Sequence, residues 1–145
     1  MDKYSESHFD FHSEEISFIL KNELAIISWL SYSITNEIKH PGEIFYIFCS
    51  DDFLYKLNIK HLNHDTLTDI ITFDYCEKDI INGEMIISID RVIYNANYFG
   101  VSFEDELHRV MIHGIMHLCG YKDKTTEDQM VMREKEDFYL NLRSF

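Results

Sequence analysis

Little in this chain bends or interrupts it. One proline and five glycines among 145 residues leave no stretch that reads as a linker. The three cysteines, Cys49, Cys76 and Cys119, are odd in number and form no Cys-x-x-Cys pair. The opening Met1-Asp-Lys-Tyr-Ser-Glu-Ser is polar and does not resemble a signal peptide. Both features favour a reducing compartment, and the expectation is a cytoplasmic protein. No apolar run approaches the roughly eighteen residues of a membrane span, so no membrane partner is expected. Basic residues are scarce as well. Thirteen Lys and Arg stand against 26 Asp and Glu, a formal net charge of −13. That balance argues against broad binding to nucleic acid, which relies on neutralising phosphates, but leaves room for a local basic cleft.

What is present is a core. Hydrophobic residues make up 46% of the chain and aromatics 14%, the composition of a folded globule. The length fits one domain spanning residues 1–145. Alternating apolar residues from Phe9 to Phe18 predict a strand running into a turn. Lys21 to Ile38, with Leu24, Ile27, Trp29, Leu30 and Ile34, predicts an amphipathic helix that His40-Pro-Gly42 breaks. Glu43 to Ser50 reads as a buried strand, and Ser50-Asp-Asp-Phe53 as a helix start with acidic residues at its positive end. Ile70 to Tyr75 and Glu84 to Ile89 read as a hairpin whose tight turn is Asn82-Gly83.

Asp90 is placed to cap a helix carrying Val92, Ile93, Ala96 and Phe99, which Gly100 ends. Ser102-Phe-Glu-Asp105 resembles a capping box before a strongly apolar helix. Thr125-Thr-Glu-Asp128 opens a last helix, with Met130, Val131, Phe138 and Leu142 as its packing residues. The expected fold is α+β, an α/β sandwich of a roughly four-stranded mixed sheet with four or five helices.

Chemistry concentrates at the end of the apolar helix. His113 and His117 are four apart and share one helical face. Gly120 can supply the left-handed residue that turns the chain back, and Asp123 follows three residues later. Two imidazoles and a third ligand make a mononuclear zinc site with an open position. The pair alone is weak evidence, because eight histidines in 145 residues give about 0.4 such pairs by chance. His8 and His12 have the same spacing, yet they alternate with Phe9 and Phe11 as in a half-buried strand. Gly120 and Asp123 make the second pair specific, with odds near one in five hundred for the whole pattern.

The pattern is similar to the His-Glu-x-x-His-x-x-Gly-x-x-His/Asp signature of zinc peptidases, with Gly114 where the catalytic Glu stands. Without that carboxylate, peptide hydrolysis loses its general base, a factor of order a hundred to ten thousand. A metallopeptidase is therefore the least favoured function. The Asp ligand should leave a zinc ion less positive than three imidazoles would, and bound water correspondingly less acidic. Arg109, one turn before His113, is a candidate to meet a bound anion and equally a candidate for an ordinary ion pair.

His113-Gly-x-x-His117-Leu-x-Gly120-Tyr121 resembles the signature of the YbeY family of bacterial endoribonucleases. The likeness extends to Leu57-Asn58, Asp65-x-x-Thr68-Asp69-Ile-Ile-Thr-Phe73, Gly83-Glu-Met-Ile-Ile-Ser88 and Glu106-Leu-x-Arg109, covering about residues 50 to 125. The resemblance implies a zinc-dependent, single-strand-specific endoribonuclease in 16S rRNA 3′-end maturation and ribosome quality control. Its partners would be single-stranded RNA, ribosomal RNA and the small ribosomal subunit, and not DNA. It also implies one zinc ion on His113, His117 and Asp123, with the two histidines acting through the metal. Two positions depart from the family pattern. Asp123 stands where the family usually has a third His, and Leu62 stands where it usually has an Arg. His61, Lys60 and His64 are the candidates to take over that Arg's work. The alternative function is a ribosome assembly factor with a mainly structural zinc.

Overall fold

The strands and helices follow in the order β1 (His8–Glu14), α1 (Glu23–Asn36), β2 (His40–Cys49), α2 (Asp51–Leu62), β3 (Ile70–Asp74), β4 (Ile80–Ser88), α3 (Ile89–Phe99), α4 (Phe103–Leu118) and α5 (Thr126–Leu140). The computed structural model describes residues 7–62 and 68–145, the side chains of 61 and 62 excepted. The four strands form one mixed sheet in the order β1-β2-β4-β3. β1, β2 and β4 run parallel, and β3 is an antiparallel edge strand hairpinned to β4. This is the mixed α/β sandwich that the hydrophobic patterning calls for.

Period-two alternation divides the side chains between two faces. Ile44, Tyr46 and Phe48 of β2 and Met85 and Ile87 of β4 enter a large core with α1, α3, α4 and α5. Ile86 and Ile71 point the other way and meet Leu54 under α2. α4 is the centre of the large core. Leu107, Val110, Met111, Ile112, Ile115, Met116 and Leu118 are all buried, each contributing about 1.5–3 kcal/mol of transfer free energy. The buried Tyr46 hydroxyl donates to the Met111 carbonyl at 2.8 Å, tying the sheet to the helix backbone.

Gly114 lets α4 lie close to the sheet. A Cβ at this position would sit 2.7 Å from Met85 Cγ and 3.1 Å from Ile70 Cδ1. The position that gives zinc peptidases their base is, in this chain, pressed against strands β3 and β4. A glutamate there would have to displace the core.

Several details differ from the sequence-based expectations. His40-Pro-Gly42 does not simply end α1; it begins β2, and the register shift lies between Pro41 and Ile44. Asn82-Gly83 is not the hairpin turn but lies inside β4. The Asn82 side-chain oxygen accepts from the Glu43 backbone N–H at 2.8 Å beside the irregularity in β2. The reversal comes earlier, at residues 77–80, where Lys78 takes the left-handed conformation. Ser88, and not Asp90, caps α3, its hydroxyl accepting from the Arg91 N–H. The Asp90 carboxylate instead accepts from the Asp51 N–H at 2.8 Å. On α3, Val92 and Ala96 are buried while Ile93 and Phe99 are exposed.

The last helix faces inward on a stripe other than the expected one. Met130, Val131, Phe138 and Leu142 are exposed, and the buried face is Met132, Glu136, Tyr139 and Leu140. The complete capping box of Thr125 and Asp128 fixes where this helix starts. A glutamate in the middle of an apolar stripe is costly unless it is paired, and Glu136 is paired.

Candidate metal centre

Ser102 opens α4 by accepting from the Asp105 N–H at 3.0 Å. At the other end, Tyr121 N–H donates to the Met116 carbonyl and Gly120 N–H to the His117 carbonyl, both at 3.0 Å. These two bonds make a Schellman cap, with Gly120 at a positive φ of 110° that favours glycine. The cap turns the chain back so that Asp123 returns to the two histidines. The loop is held from outside as well. Gln129 of α5 donates to the Asp123 carbonyl at 3.1 Å, and the Tyr121 hydroxyl donates to Glu37 at 2.6 Å. Glu37 also takes a hydrogen bond from Tyr139 and an ion pair from Lys135. Those donors hold its carboxyl below the ordinary range even though burial, the largest influence, acts in the opposite direction.

The result is a convergence of donor atoms. Asp123 Oδ2 lies 3.2 Å from His117 Nε2 and 3.3 Å from His113 Nε2. The two imidazoles sit edge to face, 4.5 Å between centroids. One donor atom from each of the three residues falls within 4.8 Å of the others, the one such group among the described residues. A tetrahedral ion with bonds of about 2.0–2.1 Å separates its ligands by about 3.3–3.4 Å, so this donor set fits zinc. The electrostatics agree. Burial, the largest effect on His113, lowers its pKa, yet Glu136, Asp69 and Asp123 together raise it above the ordinary value. The surroundings of this imidazole favour a positive charge.

Behind the site lies a carboxylate network. His113 Nδ1 is 2.7 Å from Glu136 Oε2, and Arg109 Nη1 is 2.9 Å from Glu136 Oε1. Arg109 Nη2 holds Asp137 at 2.7 Å. Both guanidinium contacts therefore go to α5, on the far side of His113 from Asp123. Burial raises the carboxyls of Asp69 and Glu106, and Asp69 pushes Glu106 further in the same direction.

In front of the donors opens a cleft of about 770 Å³, lined by Asn58 of α2, residues 68–72 and Asp74, and His113, His117, Leu118, Asp123 and Lys124. The separate sequence motifs at Asn58, Thr68-Asp69 and His113-His117 thus meet on one surface. Among the described residues Lys124 is the only cation that lines it. Lys60, one of the candidates for the missing Arg's role, is exposed on α2. His64 and the side chains of His61 and Leu62 lie outside the described residues. Two cysteines lie near the cap of α4. The single S–H of Cys76 is shared between the Asn82 carbonyl, 3.4 Å from Sγ, and the Leu118 carbonyl, 3.6 Å from it. Burial pushes the thiols of Cys76 and Cys119 up to about 11 and about 12.

Glu136, Asp69 and Gln129 were not expected at the site. Glu136 had one sequence signal, a carboxylate in step with Met132, Tyr139 and Leu140, the stripe that proves to be buried. Asp69 lay inside a recognised motif without an assigned role.

The comparisons with known proteins point the same way as this geometry. Residues 8–143 match the family model described as Endoribonuclease YbeY. A protein of that name from Flavobacterium johnsoniae is 55% identical over 123 residues, covering 85% of this chain and 88% of the relative. Another from Cytophaga hutchinsonii is 47% identical over 136 residues, covering 93% and 95%. The solution structure of TM1509 from Thermotoga maritima superposes with a TM-score of 0.66 at 29% identity, covering 92% of this chain and 87% of that one. The match runs from the first residue of β1 to just beyond α5 and takes in every motif that borders the cleft, and the chain belongs to the YbeY family.

Proposed function

We propose that this protein is a zinc-dependent, single-strand-specific endoribonuclease that acts in 16S rRNA 3′-end maturation and ribosome quality control in the cytoplasm. The observation that carries the reading is the juxtaposition of His113, His117 and Asp123 at the wall of an open cleft, in a chain of the YbeY family. The relatives' name supports RNA as the substrate.

His113, His117 and Asp123 would hold the ion. When bound, zinc supplies Lewis-acid polarisation of a phosphoryl oxygen and makes water more acidic. The chain's own residues do the rest. Lys124 offers a positive charge to a phosphate, and Asn58 and Thr68 border the same cleft. Asp69, kept more basic than an ordinary carboxylate by burial, can accept the proton of an attacking water or 2′-hydroxyl. The peptidase alternative lacks the base of its own signature, since Gly114 stands at that position and faces the sheet.

Zinc analysis and cleavage of single-stranded ribosomal RNA by the wild type and His117→Ala test this reading. Zinc and cleavage should both be lost in the folded variant. Cleavage unchanged in a zinc-free variant would end the catalytic-metal proposal. Zinc retained by a wild type that cleaves nothing would favour the assembly factor with a structural ion. Product ends decide the nucleophile: a 2′,3′-cyclic phosphate excludes direct attack by water.

A further inference from the structure

Among the described residues, the carboxylate that contacts His113 from behind, on the side away from Asp123, is Glu136, supplied by a different helix. Its side chain is only 7% exposed, and its two oxygens face different partners. Oε1 receives Arg109 Nη1 at 2.9 Å, and Arg133 lies 4.0 Å from the same atom. Oε2 is left for His113 Nδ1 at 2.7 Å. A carboxylate offers only acceptors, so the hydrogen in that bond belongs to the ring. A neutral imidazole with Nδ1 protonated carries its lone pair on Nε2, the atom that faces Asp123.

We propose that Glu136 is a positioning residue that fixes the tautomer and orientation of His113, with Arg109 fixing Glu136 in turn. The proposal rests on the metal-centre reading above and goes beyond it by assigning α5 an active part in the site. Arg109 then works through Glu136 and has no direct task at a bound anion. A carboxylate behind a ligating imidazole also raises the basicity of the donor nitrogen.

The arrangement makes an unusual prediction for the isosteric variant. In Glu136→Gln, Arg109 still demands an oxygen on its side, because guanidinium only donates. The amide nitrogen is then turned toward His113 Nδ1 and donates to it. That selects the tautomer with Nε2 protonated and removes the lone pair a metal needs. Glu136→Ala merely frees the ring to choose. Stability should run in the opposite order, since Gln keeps most of the packing and the Arg109 contact, while Ala leaves a void and a half-buried guanidinium with one partner fewer.

The experiment is chelator-competition titration of zinc into the full-length wild type, Glu136→Gln, Glu136→Ala and His117→Ala, together with melting of each metal-free protein. Zinc affinity should fall about 10–100-fold in the Gln variant and less in the Ala variant, while melting temperature falls further in the Ala variant. Affinities that follow the melting order, or a Gln variant that binds like the wild type, would overturn the proposal. Long-range nitrogen–proton NMR of the metal-free wild type at pH 9 decides the matter even if neither variant folds. The expected His113 ring carries its proton on Nδ1, and one protonated on Nε2 refutes it. Failure of the metal reading itself looks different: the wild type and His117→Ala would then be equally unable to hold zinc.

Discussion

This molecule contains the same histidine spacing twice. On β1, His8 and His12 are four positions apart, about 13 Å along the strand, and both are exposed. On α4, His113 and His117 are one helical turn apart, with ring centroids 4.5 Å from each other. Secondary structure alone turns a spacing into a ligand pair or into two unrelated side chains. The neighbours differ just as much. His12 pairs with the exposed Glu14, at 2.9 Å. His113 is wedged between Asp123 in front and Glu136 behind. Four residues of spacing say little until a cap brings a third ligand back and a second helix closes the rear.

The strongest test of this contrast removes each pair. Alanine at His113 or His117 should reduce zinc affinity and RNA cleavage by about a hundredfold or more, whereas alanine at His8 or His12 should leave both within about twofold. Equilibrium dialysis and initial cleavage rates provide the readout, and equal losses from the two pairs would erase the distinction. The next effect concerns the bed on which the helical pair lies. Gly114→Ala should cost about 1–3 kcal/mol in denaturant unfolding, because its methyl group meets Met85 at 2.7 Å. Gly114→Glu should cost more and should not create peptidase activity. A fully stable, proteolytic Gly114→Glu variant would contradict the seating of α4.

A third histidine on the same helix sharpens the comparison through pH. Burial and the adjacent Arg143 lower His108 to about 4, so it is neutral in the folded protein. Arg143 donates to His108 Nδ1 at 2.7 Å. For a histidine with a lowered folded pKa, the unfolded chain binds the extra proton. The stability of the neutral form is therefore fully present above about pH 6.5 and is lost as the pH falls toward 4, by at most roughly 3 kcal/mol. Thermal unfolding between pH 4 and 7 should show this loss, and His108→Phe should flatten it. His113 has the opposite sign: its pKa is raised, so its contribution to the stability of the metal-free protein is present at acid pH and is lost as the pH rises. Acid would at the same time weaken the hold on a metal by protonating a ligand.

These contrasts also explain which parts were legible in the sequence. α4 was, because its apolar residues leave only one arrangement that hides them, and its two histidines fall together on that arrangement. The Gly120 turn was legible too, since a positive φ after an apolar helix is a local demand. α5 was not. It offers two stripes, one with Met130, Val131 and Phe138 and one with Met132, Tyr139 and Leu140, and Glu136 lowers the apolar character of the latter. Arg109 and His113, more than twenty residues away along the chain, pair with Glu136 and make that stripe favourable. Asn82-Gly83 misled for a related reason. Gly83 is small because a Cβ there would meet Leu118 Cδ1 at 2.6 Å, a tertiary demand that in sequence resembles a turn. The exposed Lys60 and the side chain of Asn58 show that α2 presents one residue to the cleft and another to solvent, a choice no local pattern dictates.

The thiols near the end of α4 bear on which ions can compete there. With Cys76 raised to about 11, only about one molecule in ten thousand carries its thiolate at neutral pH, and Cys119 is rarer still. No sulfur belongs to the donor group found among the described residues. An arriving ion meets two borderline nitrogens and one hard oxygen. Were an ion held there, soft monovalent copper would gain little from such a set and zinc and its divalent neighbours most, while thiols that stay protonated would offer no competing sulfur ligand.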